Sequence, residues 1–422
     1  MYCQVYTGTC VTLCTPFPEA DHPLTIDIPR VYFEPMFFRE EIEALSRKGL
    51  LRSLRQVDSA SSSKIVVDGK AYLNLSSNNY LGLSTHPKVK EAAARALQQY
   101  GVGTGASALI SGHTQHHQKL AEKVAQFKGE EAALIFSTGY MANVGILSAL
   151  LEGGDLVYAD RLSHASIIDG CRMSKATLRV FPHRDTQFLA RHLERVATGR
   201  KVLIVTDGVF SMDGDLAPLP EIVKLAEQHR AMVMVDDAHA TGVLGSTGRG
   251  TLEHFGLEGR GTIQMGTLSK AMGAFGAYVA GSQDLITYLL NRAKSYIYTT
   301  SLPTAMVAAS LAALEVIERE PQIRQQLWDN RAYYEQGVKS LGYNTLQTET
   351  PIVPLLVGES SLTLEMSQQL LAHGVFAPAI RPPTVPQGMA RIRTSLMATH
   401  TRNDLDYALE VFKKVGENLG IL

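Results

Sequence analysis

From about residue 131 the chain alternates short β-rich runs with amphipathic stretches, and no other feature narrows its fold as far. The runs are Ala132–Phe136, Leu156–Ala159, Thr177–Phe181, Val202–Thr206, Met232–Asp236, Thr262–Thr267 and Gly276–Ala280. That rhythm predicts an α/β fold with a large, mostly parallel sheet covered by helices on both faces. Ligands of such sheets sit outside the carboxyl ends of the strands. A long helix is expected from near Pro303, and then a second pattern follows. It comprises Ile352–Val357, a helical stretch Leu362–His373, a strand carrying Arg381, a strand Ala390–Leu396 and a closing helix from Asn403. This predicts a smaller carboxyl-terminal α/β domain. No internal repeat or low-complexity linker separates the two parts, so they are expected to pack closely.

Length and charge remove several classes. The 422 residues suffice for two or three domains with a sizeable core. Forty Lys and Arg oppose 41 Asp and Glu, so nothing in the overall charge favours nucleic acid or an anionic membrane. The best apolar stretch, Ala305 to Ile317, is interrupted by Ser310 and Glu315 and is too short to span a bilayer. Four cysteines give no disulfide framework, and three of them, Cys3, Cys10 and Cys14, crowd the amino terminus in no common zinc spacing. A reducing cytoplasm is the expected compartment. Residues 1–35 hold no Lys and a single Arg, which fits neither a secretory signal nor a transit peptide, and they are expected to be a disordered extension. From Met36, the expected functional start, Phe37, Ile42, Leu45 and Leu50 recur at helical spacing among charges. The expected division is a helical and strand segment over 36–80, a large domain over 81–305 and a small one over 306–422.

The chemistry-bearing segments lie at predicted strand ends. In Gly266-Thr267-Leu268-Ser269-Lys270-Ala271-Met272-Gly273, burial of the lysine would lower its pKa and free the amine for a Schiff base, with Thr267 and Ser269 offering hydroxyls to a phosphate. The octet is also compatible with a surface lysine in a polar turn. Asp236-Asp237-Ala238-His239 follows an apolar strand; a strand-end carboxylate can keep a pyridinium nitrogen protonated, or the cluster can bind a divalent metal. No other His, Asp or Glu cluster supplies the remaining ligands of a metal, and Asp237 is expected to be structural. Ser137-Thr138-Gly139-Tyr140 opens a helix whose free N–H groups suit a phosphate. His164, in Leu162-Ser163-His164-Ala165-Ser166, can stack on an aromatic ring or serve the fold alone.

Taken in order, six motifs resemble the α-oxoamine synthases, fold-type I enzymes that use pyridoxal 5'-phosphate (PLP). They are SSNNYLGLS at 76–84, GVGTGASALISG at 101–112, DRLSHASIIDG at 160–170, DGVFSMDGD at 207–215, DDAHATG at 236–242 and GTLSKAMG at 266–273. The resemblance covers the chain from about Met36 to its end. It implies that Lys270 carries PLP as a Schiff base, Asp236 faces the pyridinium nitrogen, His239 the ring oxygen and His164 the ring face, with Ser211 adding a hydrogen bond. Gly139, Tyr140 and Thr267 would hold the phosphate end. It further implies a homodimer with shared sites, in which Thr299 and Thr300 of Tyr298-Thr299-Thr300-Ser301 reach a neighbour's phosphate.

Within the family, residues 379–394, AIRPPTVPQGMARIRT, look like those of the member that condenses L-alanine with a pimeloyl thioester, with loss of carbon dioxide, in biotin biosynthesis. Arg391 and Arg393 point the same way on a strand, and Arg393 matches the residue that holds the amino-acid carboxylate. Thr384, Arg52 and Asn78 match further substrate positions; for each arginine the alternative is a surface salt bridge. Glycine C-acetyltransferase is the closest alternative and usually lacks the Arg-Pro-Pro-Thr-Val-Pro run. Ser107-Ala108-Leu109-Ile110 suits a long acyl chain better than a short dianionic one. Gly101-x-Gly103-x-Gly105 offers a weaker, dinucleotide-binding reading, but it follows a helix-like stretch, Val89–Tyr100. A non-catalytic scaffold subunit is expected to lack the Schiff-base lysine, which is present.

Overall fold

The computed structural model describes residues 35–47, 50–52, 54–197 and 199–422. Residues 1–34, with Cys3, Cys10 and Cys14, lie outside them, so the expected extension does too. The chain divides after Arg55 into two units. In the first, a helix spans Pro35–Arg47, with proline in its first turn, where the missing N–H costs nothing, and Arg47 in its last. Leu50 lies beyond this helix, its N–H donating to the Leu45 carbonyl at 2.8 Å.

The second unit opens with β1 (Lys64–Val67) and β2 (Lys70–Asn74), an antiparallel hairpin. Its two-residue turn is Asp68-Gly69, both at positive φ, the geometry that matches the strand twist. Seven strands then form the main sheet: β3 (Ala132–Phe136), β4 (Leu156–Asp160), β5 (Thr177–Phe181), β6 (Val202–Asp207), β7 (Met232–Asp236), β8 (Ile263–Thr267) and β9 (Ala277–Gly281). Their spatial order is β3-β9-β8-β7-β6-β4-β5; only β9 runs antiparallel to its neighbours. The expected mostly parallel sheet is present, and side-chain alternation explains its two cores. Val157, Leu203 and Met234 face Ile146 and Ile167 on one side, while Tyr158, Ile204 and Val235 face Leu189 and Ile222 on the other.

The carboxyl-terminal part adds β10 (Ile352–Gly358), β11 (Val375–Phe376), β12 (Ala379–Ile380) and β13 (Ala390–Ser395). β10, β13 and β12 form an antiparallel sheet, whereas β11 joins the amino-terminal hairpin, its Val375 lying opposite Leu73 of β2. Arg381 departs from expectation: β12 ends at Ile380, because Pro382 and Pro383 have no N–H with which to continue a ladder. The Gly101-x-Gly103-x-Gly105 run also fails the dinucleotide pattern, since Gly101 terminates the helix Pro87–Tyr100 at φ 75° instead of leaving a strand. No helix among the described residues is long and apolar enough to cross a membrane.

One buried ion pair braces the sheet where β7 ends. Lys128 closes the helix Gln115–Lys128 and is fully buried, its Nζ 3.0 Å from Asp237 Oδ2. Asp237 also accepts from the Thr251 hydroxyl and backbone N–H, so both of its oxygens are satisfied. Burial alone would favour neutral Lys128, but Tyr278 and Asp237 more than offset it and raise its pKa. Lys128→Ala leaves an uncompensated buried carboxylate, and urea titration should show a loss of about 3–5 kcal/mol in stability.

Candidate active site

Parallel strands deliver their last residues to one edge, and there the polar groups collect. Asp160 ends β4, Asp207 ends β6, Asp236 ends β7 and Thr267 ends β8. Lys270 sits three residues beyond β8 on a turn that leads to Gly273. That glycine has φ 63° and presses on the backbone of Leu83 and Ser84, where a Cβ would collide. The close approach brings the loop of Lys270 against the segment that carries Asn78 and Tyr80.

The Lys270 Nζ lies 2.8 Å from His239 Nε2, and the other ring nitrogen of His239 lies 2.7 Å from the Tyr80 hydroxyl. Burial pushes the lysine pKa down to about 8, assisted by Arg393 and opposed by Asp236 and Asp207. His239 is held well below its ordinary value by burial and by the positive charges of Lys270, Arg393 and His164. A neutral imidazole is therefore paired with an amine that loses its proton easily.

Asp236 is buried and bonded on both oxygens. Its Oδ2 accepts from Asn143 Nδ2 at 2.8 Å, and its Oδ1 from the Ala238 N–H at 3.0 Å. Asn143 also donates to Ser166 Oγ, which pairs with His164 Nδ1 at 2.7 Å. His164 is fixed a second time, its backbone N–H donating to Asp207 Oδ2 at 3.0 Å. Burial lowers the His164 pKa, and it raises that of Asp207 well above the carboxylate range, with the neighbouring charge of Asp236 adding to the effect. Asn143 Oδ1 is buried without a partner, so this polar pocket retains an unfilled acceptor.

On the opposite wall, Arg393 projects from β13. It donates to the Ser211 carbonyl, to Ser395 Oγ at 2.8 Å and to Asn78 Oδ1 at 3.1 Å. Arg391, two residues earlier on the same face, grips Asp213 at 2.6 Å and the Met212 carbonyl at 3.2 Å. Thus β13 clasps the turn after β6 twice. At the other end of the site, Thr138 caps the helix Gly139–Leu150 by accepting the Met141 N–H, leaving the first helical N–H groups outward. A Cβ on Gly139 would stand 3.9 Å from that of Thr267, so the helix start adjoins the turn of Lys270. Ser137 Oγ donates to the Thr300 carbonyl at 3.3 Å, which brings residues 299 and 300 to the same rim.

The structure therefore gathers Lys270, His239, Asp236, His164, Asn78, Arg393 and the Ser211 backbone, with Gly139, Thr267 and Thr300 beside them. Tyr140 is half exposed and its hydroxyl donates to Asp169 at 2.6 Å. Thr384 is on the exposed loop between β12 and β13, with its N–H bonded to the Arg381 carbonyl. Arg52 belongs to the first unit and is exposed. Sequence reasoning passed over Tyr80, Asn143, Ser166 and Asp207. Each lies within or beside a quoted motif, but a hydrogen bond to another residue of the site leaves no periodic mark.

The residues present fit PLP: a lysine amine of lowered pKa, a buried strand-end carboxylate, an imidazole beside each, and a helix start able to take a phosphate. Residues 70–412 match the model of the aminotransferase class I and II family. An 8-amino-7-oxononanoate synthase from Thermoanaerobacter pseudethanolicus is 49% identical over 387 residues, which is 92% of this chain and 98% of that one. One from Geobacter metallireducens is 50% identical over 91% of this chain and 99% of its own. Among solved structures, serine palmitoyltransferase from S. paucimobilis, carrying a PLP–myriocin aldimine, superimposes with TM-score 0.87 at 33% identity, over 92% of this chain and 98% of that one. An 8-amino-7-oxononanoate synthase from Francisella tularensis gives 0.72 at 29%, over 82% and 98%. The chain belongs to the aminotransferase class I and II family, the fold-type I PLP-dependent transferases, and within it to the 8-amino-7-oxononanoate synthase group of C-acyltransferases.

Proposed function

We propose that the enzyme joins L-alanine to a pimeloyl thioester, releasing carbon dioxide and the thiol carrier and forming the amino ketone used in biotin biosynthesis. The observation that carries this reading is the enclosure of Lys270, His239 and Arg393 in one pocket of a chain about half identical to the synthases named above. Residues 81–305 hold the cofactor in this reading, and 306–422 supply the wall with Arg393.

PLP, when bound, supplies an electron sink for the pair left at the alanine Cα. Lys270 Nζ would hold the cofactor and, as a free amine, would take the alanine Cα proton; a pKa near 8 suits both tasks. Asp236, its two oxygens bonded to Asn143 and to the Ala238 N–H, would face the pyridinium nitrogen. His164 would lie on the ring face, and His239 with Ser211 would face the ring oxygen. The Arg393 guanidinium binds the alanine carboxylate, Asn78 keeping its fork aligned. Gly139, Tyr140 and Thr267 take the phosphate end. Thr384 is assigned to the substrate.

The same reading makes the enzyme a homodimer in the cytoplasm. Val102, Ile110 and Tyr298 are 80%, 81% and 76% exposed, on segments tied together by the Ser107–Thr300 bridge. So much apolar surface beside a polar site suits a second copy, whose Thr299 and Thr300 complete the phosphate cradle.

Turnover should appear with alanine plus pimeloyl thioester and stay at background with glycine plus acetyl-coenzyme A; the reverse result would establish the glycine acetyltransferase reading. Lys270→Ala should abolish turnover, and Arg393→Ala should raise the alanine KM by about a hundredfold, the order expected for losing a charge-assisted fork. In stopped-flow reconstitution of the apoenzyme, PLP capture should accelerate with pH and level off above about 8, since Lys270 is neutral beyond its lowered pKa. A plateau delayed to the pKa of a free lysine would contradict that environment. Ile110→Asp should shift sedimentation from dimer to monomer and weaken cofactor retention.

A further inference from the structure

His183 has no part in the reaction described above, yet it stands between two loops that do. It follows β5 and Pro182, and its side chain is 26% exposed. Its Nδ1 lies 3.0 Å from Asp160 Oδ1 and its Nε2 2.8 Å from Asp215 Oδ2. Asp160 ends β4 and carries the loop of His164, also accepting the Leu162 N–H at 2.8 Å. Asp215 closes the turn of Ser211, whose carbonyl receives Arg393. The Phe210 ring stands nearly perpendicular to the imidazole, with centroids 4.4 Å apart. Both ring nitrogens face carboxylates, so both must donate, which requires the imidazolium.

Arg184 shares the same two carboxylates. Arg184 donates through its backbone N–H to Asp160 Oδ2 at 2.9 Å and through its guanidinium to Asp215 at 3.2 Å. Its other terminal nitrogen lies 3.8 Å from Glu349. Burial alone would lower the His183 pKa, but the hydrogen bonds and charges of Asp160 and Asp215 raise it to about 9.

We infer that His183 is a positioning residue: as a doubly bonded imidazolium it yokes the β4 loop, and with it His164, to the turn after β6. The turn is the fixed partner. Arg391 holds it at Asp213, and Thr350 Oγ1 and the Glu349 N–H hold it at the Gly214 carbonyl. The β4 loop meets that turn through Asp160, which it shares with Arg184, so losing the yoke shifts His164 within its remaining bonds to Asp207 and Ser166 while Arg393 keeps its anchorage. This inference rests on His164 lying against the cofactor ring.

The test is His183→Gln in the holoenzyme, read by visible circular dichroism per mole of bound PLP, by kcat and by the alanine KM. The dichroic band should change and kcat fall about tenfold, as for a misplacement of a fraction of an ångström, while the alanine KM stays within about twofold. Asp160→Asn combined with His183→Gln should do no more harm than either alone, because both cut one link. Asp215→Asn, which retains the Asp160 side, should shift the band in the same direction to a lesser degree and serves if His183→Gln does not fold. A lower melting temperature with unchanged dichroism and kcat per bound PLP would overturn the inference, as would a defect confined to the alanine KM or additive effects in the double variant. The dichroic signal requires no substrate, so failure of the wild type to condense alanine with pimeloyl thioester would count against the proposed reaction and not against the yoke.

Discussion

Removal of the Lys270 amine from water is the constraint on which the rest of the site depends. An exposed lysine is protonated at neutral pH and is no nucleophile; this one is lowered to about 8 by enclosure. Enclosure demands that its neighbours tolerate a nearby charge without cancelling the effect. His239 does so by remaining neutral between the amine and Tyr80. The acidic groups, Asp236 and Asp207, are set back on adjacent strands, and their oxygens are engaged by Asn143, Ala238 and His164. Those carboxylates moderate the lowering instead of reversing it.

Position along the sheet was legible in the sequence because strand ends are marked twice, by the apolar run that stops and by the polar residues that follow. This is why Asp236, Thr267, Lys270 and His164 were singled out and why they share one edge. The carboxyl-terminal sheet was legible as far as its long strands, β10 and β13. It was not legible at β12, a two-residue strand cut short by prolines.

What the sequence hid is long-range pairing. Asp68-Gly69 is a clear hairpin turn, and it was passed over because the strands it joins stand outside the strand–helix alternation that marks the main sheet. Tyr80 with His239, Asn143 with Asp236, and His183 with Asp160 and Asp215 are pairs whose members lie far apart in the chain or in different motifs. Periodicity reports which face a residue occupies and is silent about its partner there. The second of two adjacent aspartates shows the limit well: Asp236 and Asp237 share a motif, but alternation sends one toward Lys270's pocket and the other to Lys128.

The parallel pairing of β2 with β11 has a consequence for how such a molecule is made. Leu73 emerges from the ribosome early, yet its strand partner Val375 follows roughly three hundred residues later, which at ordinary translation speeds is a wait of about 15–60 s. Throughout that interval one edge of the hairpin has no native neighbour and is open to wrong ones. The nascent chain completes β7, with Asp236, and the turn of Lys270 well before it can produce Arg393. A cell making this enzyme therefore holds, for part of each synthesis, one wall of the pocket without the wall that carries Arg393.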